Sequence, residues 1–521
     1  MSRLKRFTHS LVSGYALLGA NILYTFASVP LALHYLSKKE IGLWGVVTQI
    51  AGYLVLVDLG MASSISRILI DHKDTTADGV YGTIIKTGML VSLVQGAIIA
   101  IAGAVVSLWL PELFNVPLEH RQKFQILVAG HCFILGSLFV GRMFNYILLA
   151  HQRYDAMNYA QIGGLIVNLA GMWLGFAWGW GLYSLLVGYS VNSLLQAAAN
   201  FFSVRGLKLF PPTGAWGKAN RKMFKELFSY GREVFLLSVG WQLVNASQML
   251  VIGRTLGFDA AGIWSIATKP FAMAQQVVFR VLDYAGAGLA EMMVREERER
   301  LVARFRDIVI LSAALATWVG LATALCNHDF LLLWTKGKVS WSANSDWLMG
   351  LMVVVYATTR CYIGFIGLTK QIRAMKYMYP LEGVAFIGLS LLTSRIWGLN
   401  GVIASAVLTN LLCSGLYGFF RTKEYFGFRD SGELASWLKW PLICLVAMAA
   451  VFGFVAWAGA GWGSWVRLAV NACVALLAGA ALFWQLGLTP GLRAEAAGVL
   501  SKLREKIFGR AAVGRIRPSL W

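Results

Sequence analysis

Apolar runs of roughly 20 to 30 residues, enough to cross about 30 Å of hydrocarbon as a helix, follow one another along the chain with short polar stretches between them. They fall at about 11–36, 41–66, 87–110, 124–150, 157–179 and 181–204, then at about 233–253, 261–291, 307–327, 346–369, 377–395, 398–420, 438–459 and 464–486. The pattern predicts an all-α polytopic membrane protein with about fourteen transmembrane helices. The long polar interruption is 205–232, RGLKLFPPTGAWGKANRKMFKELFSYGR, with six runs before it and eight after. The first run follows a basic start, MSRLKRFTHS, but is too long for a signal peptide and lacks a small-x-small exit. It reads as an uncleaved first span.

The runs on either side of the interruption repeat one another at an offset of about 218 to 220 residues. LSKKEIGLW at Leu36–Trp44 answers LGFDAAGIW at Leu256–Trp264, and Ala156–Tyr159 answers Ala374–Tyr377. Arg142 answers Arg360, Asn192 answers Asn410, and Phe201 and Phe202 answer Phe419 and Phe420. Six spans per copy make the copies parallel repeats, related by an axis along the membrane normal. The expected organisation is an N-lobe at 1–204, a basic linker at 205–232, a C-lobe at 233–422, spans 13 and 14 at 423–487, and a basic tail at 488–521. Two parallel six-helix lobes then surround a central cleft, with two C-terminal helices added.

Composition agrees: 58% of the 521 residues are hydrophobic and 14% charged, against about 25% charged in a soluble domain. The 46 Lys and Arg exceed the 25 Asp and Glu, which alone would raise nucleic acid as a partner. Their placement removes it. With the amino terminus inside, about 33 of the basic residues lie in cytoplasmic segments and about 9 outside, as the positive-inside rule requires. Both termini, the linker and the tail are therefore expected in the cytoplasm. The six cysteines stand singly in or beside apolar runs, so neither a metal site nor a disulfide framework is indicated. No cofactor is expected, and no loop is long enough for a soluble catalytic domain. In the tail, Leu492, Leu500, Leu503 and Ile507 share a face away from Arg504 and Lys506, which suits either a helix lying on the membrane surface or a solvated end.

Charges inside spans are costly and mark function by default. In the eighth span Lys269, Met273, Gln276, Arg280 and Asp283 follow at spacings of 4, 3, 4 and 3, so they share one helix face. The stripe is about 21 Å long. Pro270 invites a kink beside Lys269. Two uses are open: Arg280 and Asp283 pair at i and i+3 to hold helices together, or the stripe faces water. Lys269, with no carboxylate one turn away, is expected to face a cavity. In the fourth span His131, Arg142 and Asn145 also return to one face. Arg142 and its repeat mate Arg360 lie at equal depth, either as anion contacts or as snorkelling side chains. Asp58, in LVLVDLGMASSISR, is expected to meet a cation on a neighbouring span, as an inter-lobe gate or an intra-lobe brace. Arg67 lies on the opposite face from it. Asn21, Tyr24, Gln242 and Asn245 either line the cleft or bond between helices. The candidates for substrate binding are thus Lys269, Arg280, Arg142, Arg360 and Gln276, and for gating or coupling Asp58, Asp283 and Arg67.

The stretch YLSKKEIGLWGVVTQIAGYLVLVDLGMASSISRILIDHKD, Tyr35 to Asp74, with EIGLWG and DLGMASSISR, resembles the opening of bacterial oligosaccharide flippases. These are the Wzx-like polysaccharide transporters of the multidrug, oligosaccharidyl-lipid and polysaccharide exporter superfamily. The resemblance implies a transporter, not an enzyme, that moves an undecaprenyl-diphosphate-linked glycan to the outer face of the bacterial cytoplasmic (inner) membrane by alternating access. The glycan would be an O-antigen, capsule or exopolysaccharide repeat unit. It also implies membrane lipids, a glycan polymerase and assembly proteins as partners. A multidrug or cation antiporter of the same superfamily is the alternative. Its expected embedded carboxylate is absent from the first span, and the span-8 stripe is mostly cationic. A polytopic glycan polymerase or ligase would be expected to present a large outer loop, which this chain lacks.

Overall fold

The computed structural model describes residues 3–74, 78–369, 374–498 and 501. The first half holds α1 (Arg3–Tyr35), α2 (Lys38–Leu54), α3 (Met61–His72), α4 (Val80–Leu113), α5 (Leu118–Ser137), α6 (Arg142–Ala150), α7 (Tyr154–Ala177) and α8 (Tyr183–Gly206). After 207–220 come α9 (Arg221–Thr255), α10 (Gly257–Ala267), α11 (Lys269–Val294), α12 (Arg298–Trp334), α13 (Ala343–Leu368), α14 (Met375–Trp397), α15 (Leu399–Asn410) and α16 (Leu416–Phe426). A short α17 (Ser431–Ser436) leads to α18 (Lys439–Ala458) and α19 (Ser464–Leu482). The described residues contain no strand.

All fourteen expected spans fall on helices. Among the described residues, eleven helical segments are long and apolar enough to cross a membrane. The other three expected spans, α8, α10 with α11, and α14, carry more polar groups, such as Asn192 and Gln196 in α8 or Lys269, Arg280 and Asp283 in α11. The chain is a multi-pass membrane protein. Local chemistry sets the helix starts. Ser37 and Glu40 form a reciprocal capping box at the head of α2. Pro270 is the second residue of α11, where its missing N–H removes no helix bond, so α10 and α11 are parted at Thr268 rather than kinked within one helix.

Besides the eighth, three more of the first twelve spans expected to be continuous are interrupted. The second breaks after Leu54 into a 3₁₀ turn, Val55–Asp58, and Leu59 and Gly60 then both take left-handed backbone. A Cβ on Gly60 would run into the Gly231 carbonyl, so the chain reverses there on the residue that permits the approach. The fourth breaks at the 3₁₀ turn Phe139–Gly141. That turn changes the phase between His131 and Arg142, so the face shared by His131, Arg142 and Asn145 does not survive. The twelfth contains a π turn at Leu411–Gly415.

The chain divides into two compact units. One is Met1–Lys269 with Trp334–Trp341 and Arg373–Thr409; the other is Pro270–Leu333 with Ser342–Ile372 and Asn410–Trp521. In the first, Met61, Ile65, Tyr81, Ile84, Met143 and Ile147 form a buried core between α3, α4 and α6. Here α2 and α10 cross so closely that a Cβ on Gly42 would strike the Phe258 carbonyl and one on Gly262 the Lys38 carbonyl. These four residues are two pairs of repeat mates, so the crossing is symmetric. The linker packs on the same unit: Lys86 Nζ donates to the Gly217 carbonyl at 3.0 Å, and the Phe210 and Trp216 rings lie 5.7 Å apart.

In the second unit Phe305, Phe365, Phe426 and Trp437 form the core. Helices α18 and α19 join α12 through Met448, Phe452, Leu321 and Ala475. Arg467 of α19 donates from Nε to Asp329 of α12 at 2.6 Å, and Asp329 is 2% exposed. Repeat mates make the same ring contact in each half: Phe144 meets Phe201 at 5.2 Å and 64°, and Tyr362 meets Phe419 at 6.0 Å and 63°. Of the tail, Leu492 packs against the core of this unit, while Leu500, Leu503, Arg504, Lys506 and Ile507 lie outside the described residues.

Candidate functional site

Two cavities of the first unit collect the in-span polar residues. The larger, about 460 Å³, is walled by α1, α2, α7, α8, α9 and α10 and ends at Lys269. Trp44, Thr48 and Gln49 of α2, Asn168 of α7, Gln248 of α9 and Ser265 of α10 line it. Tyr24 of α1 donates its hydroxyl to Asn168 Oδ1 at 3.1 Å. Among the described residues Lys269 is the one charged residue in the wall, and it makes no ion pair with them. An ammonium facing amides, hydroxyls and indole rings offers an anion contact beside groups that match sugar hydroxyls and ring faces.

The second cavity, about 450 Å³, lies where the second and fourth spans break. Asp58 closes the 3₁₀ turn of the second span and Arg142 opens α6. Arg142 Nη1 stands 3.6 Å from Asp58 Oδ1, within reach of charge attraction but too far for a hydrogen bond. That nitrogen is buried and makes no hydrogen bond. Asp58 Oδ2 is occupied, accepting from the Ala62 amide at 3.0 Å. The guanidinium is steadied by the Phe139 ring at 4.5 Å. Gln95 Nε2 donates to the Val57 and Asp58 carbonyls at 3.1 and 3.0 Å, satisfying groups that the break leaves free. Ser63, Trp241 and Gln242 complete the wall.

The rest of the stripe lies in the second unit. Gln276, Arg280 and Asp283 are exposed on one face of α11, as their spacing requires. Arg280 has no ion pair among the described residues. Its pairing with Asp283 at i and i+3 does not form, because Asp283 instead accepts from Arg360 Nη2 at 2.7 Å. The Arg360 guanidinium lies 4.4 Å from the Phe279 ring. Arg67 is exposed, faces Asp71 at 3.7 Å, and lines neither cavity. His131 is buried and stacks on Tyr189 at 4.1 Å. Of the four scattered polar candidates, Tyr24 and Asn245 line the Lys269 cavity and Gln242 the other. Asn21 is exposed and bonds to the Leu17 carbonyl.

The structure thus joins Asp58 to Arg142 and Asp283 to Arg360, gives Lys269 a cavity of its own, and leaves Gln276, Arg280 and Arg67 outside both cavities. Sequence reasoning passes over Gln95, Asn168, Tyr189 and Gln248. The signal is present, since each is a polar residue inside an apolar run, but a lone amide also fits an ordinary interhelical bond.

The model of a family described as "Polysaccharide biosynthesis protein" matches residues 11–284. Among solved structures, the chain is similar to "Lipid II flippase MurJ, inward closed conformation". The identity is 13%, with 91% of this chain and 99% of that one covered and a TM-score of 0.65. It is similar also to an inward-facing multidrug resistance MATE family transporter of the MOP superfamily, at 14% identity, covering 78% of this chain and 96% of that one, with a TM-score of 0.63. An outward-facing transporter of the same description gives 14%, 81%, 96% and 0.52. At such identities the likeness is one of fold. No curated protein matches the sequence.

Proposed function

The chain belongs to the polysaccharide biosynthesis protein family, and we propose that it is a flippase moving a polyprenyl-diphosphate-linked oligosaccharide from the inner to the outer face of the bacterial cytoplasmic membrane. The observation that carries this is the Lys269 cavity: among the described residues its wall holds one cation and no carboxylate, with a lining of amides, hydroxyls and aromatic rings. An embedded ammonium left without an acid calls for an anion from the substrate. The amides and rings beside it suit a glycan. Arg142, Arg360, Arg280 and Gln276 supply further anion or polar contacts along the path, and Asp58, Asp283 and Arg67 act in gating or coupling. The repeats 1–204 and 233–422 are the moving lobes of an alternating-access cycle, with termini and linker in the cytoplasm.

A cation or multidrug antiporter is the second reading, favoured by the carboxylate of Asp58 in the other cavity. There Arg142 already opposes it.

The test is flipping of a polyprenyl-diphosphate oligosaccharide in proteoliposomes, with native mass spectrometry of the purified protein for the retained lipid. Lys269→Ala should lower flipping by more than about ten-fold, the size of a lost desolvated charge contact, while the protein still purifies monodisperse. Flipping at the wild-type rate by Lys269→Ala, together with cation efflux lost in Asp58→Asn, would turn the assignment to the antiporter.

A further inference from the structure

A guanidinium that already has a carboxylate partner is ordinarily spent as an anion site. Arg142 is not. Its Nη1 is buried, without a hydrogen bond, 3.6 Å from the acid that faces it. The acid is held by other means, since Asp58 Oδ2 caps the start of α3 through the Ala62 amide, and Gln95 ties the carbonyl of Asp58 itself. Only Oδ1 looks at the arginine. The Phe139 ring covers one face of the guanidinium. What remains unbonded is Nη1, and Asp58 and Arg142 both border the 450 Å³ cavity.

We propose that Asp58 is a placeholder for the phosphate oxygens of the substrate: it keeps Arg142 oriented while the cavity is empty and yields the guanidinium edge when a diphosphate enters. This rests on the reading of Arg142 as an anion contact. Charge alone would let any cation serve, but a guanidinium with a bare N–H edge takes phosphate oxygens in a two-bond fork that a carboxylate 3.6 Å away does not form. The acid does not move to make room, because its second oxygen stays on the helix cap. It competes with the phosphate for Arg142 without leaving, which weakens binding and returns the arginine once the phosphate departs. Asp58 is therefore a positioning residue that trades affinity for release.

The consequence has an unusual sign: removing the acid strengthens binding. Asp58→Asn keeps an oxygen for the Ala62 amide, so the cap and the turn are retained. Full-length protein in phosphatidylcholine nanodiscs is titrated with inorganic pyrophosphate by calorimetry. Asp58→Asn should bind roughly five- to ten-fold tighter than wild type, the size of one partly buried charge pair. In the flipping assay its KM and kcat should fall together, as when a ground-state competitor is lost and release slows. A purely structural acid would give weaker binding and a raised KM. Arg142→Ala should abolish the gain in the double variant. If Arg142→Ala binds pyrophosphate as wild type does, Arg142 is no anion contact and the proposal falls with that reading. If Arg142→Ala loses binding while Asp58→Asn gains none, the placeholder role alone is wrong. Repeating the titration with phosphatidylglycerol in the nanodisc separates the sources of phosphate. A gain that persists supports a diphosphate site, and a gain erased by the anionic lipid assigns the edge to headgroups and overturns it.

Discussion

Arg142 and Arg360 are repeat mates, each lies against a phenylalanine ring at 4.5 and 4.4 Å, and each faces an aspartate from another span. The resemblance stops there. Arg142 sits at a helix break, beside a cavity, 3.6 Å from an acid occupied elsewhere. Arg360 lies within the continuous α13 and is hydrogen-bonded to Asp283 at 2.7 Å. The acids are not repeat mates: Asp58 comes at the end of the second span and Asp283 from the middle of α11. A duplicated arginine has thus been given its counter-charge twice, by different residues. The same charge is under-bonded in one half and satisfied in the other, so position in the repeat does not by itself assign a role.

The largest effect that calibrates this contrast belongs to a third pair. Asp329 is almost wholly buried and takes Arg467 through Nε and Nη2, tying α19 to α12. Asp329→Ala leaves a guanidinium without its acid and should destabilise the protein by about 3 kcal/mol, read as a lower midpoint of thermal inactivation, with flipping per folded molecule unchanged. Were flipping lost in molecules that remain folded, this pair would join the transport machinery and the division between structural and working ion pairs would fail.

The two repeat mates come next. Arg360→Ala gives up a charge-assisted hydrogen bond that is part-exposed and should cost about 1 kcal/mol of stability. Arg142→Ala gives up no hydrogen bond to the described residues and should cost less stability while lowering flipping about ten-fold or more. Measured together in one membrane, the variants should separate by degree: Arg360→Ala mainly by its midpoint, with a smaller loss of rate, and Arg142→Ala mainly by its rate. Equal losses of rate with no change in midpoint would show both arginines working on substrate in the same way, and the difference between 2.7 and 3.6 Å would carry no meaning.

Much of this is legible in the amino-acid sequence. The fourteen runs, the basic linker and the polar stripe follow from hydrophobic length and charge cost, which a sequence displays directly. The likeness carried by Tyr35–Asp74 lies within the matched residues 11–284. The partnership of Asp58 with a cation on another span is also readable, since nothing within its own helix reaches it. The breaks are not. Leu59 takes a left-handed conformation that leucine rarely adopts, and nothing in VDLG but the glycine announces it. Nor is the choice made by Asp283. Arg280, three residues away, satisfies every local rule, yet the acid takes Arg360 from 77 positions further on, because tertiary packing brings a better donor.

The smallest effect lies at the exposed end of the scale. Arg304 of α12 reaches Glu495 at 2.9 Å, with side chains 45% and 57% exposed. The hydrogen bond and charge of Arg304 hold the Glu495 carboxyl below its ordinary range. A depressed carboxyl pKa means that the folded state favours the anion. The stabilisation is therefore complete above the unfolded value, about 4.3 for glutamate, and disappears as pH falls through the lower, folded value. From about pH 6 to 8 it is constant, so the midpoint difference between wild type and Glu495→Gln should not vary there, and screening by water and salt should keep it close to the limit of measurement. Below about pH 4 the difference should shrink, and it should vanish once pH passes below the folded value and the wild-type carboxyl takes up its proton in the folded state. Raising salt at about pH 7 should shrink it as well. If Glu495→Gln instead lowered the midpoint as much as Arg360→Ala does, exposure would not be what ranks these pairs, and the order proposed for Arg142, Arg360 and Arg467 would have to be rebuilt on geometry alone.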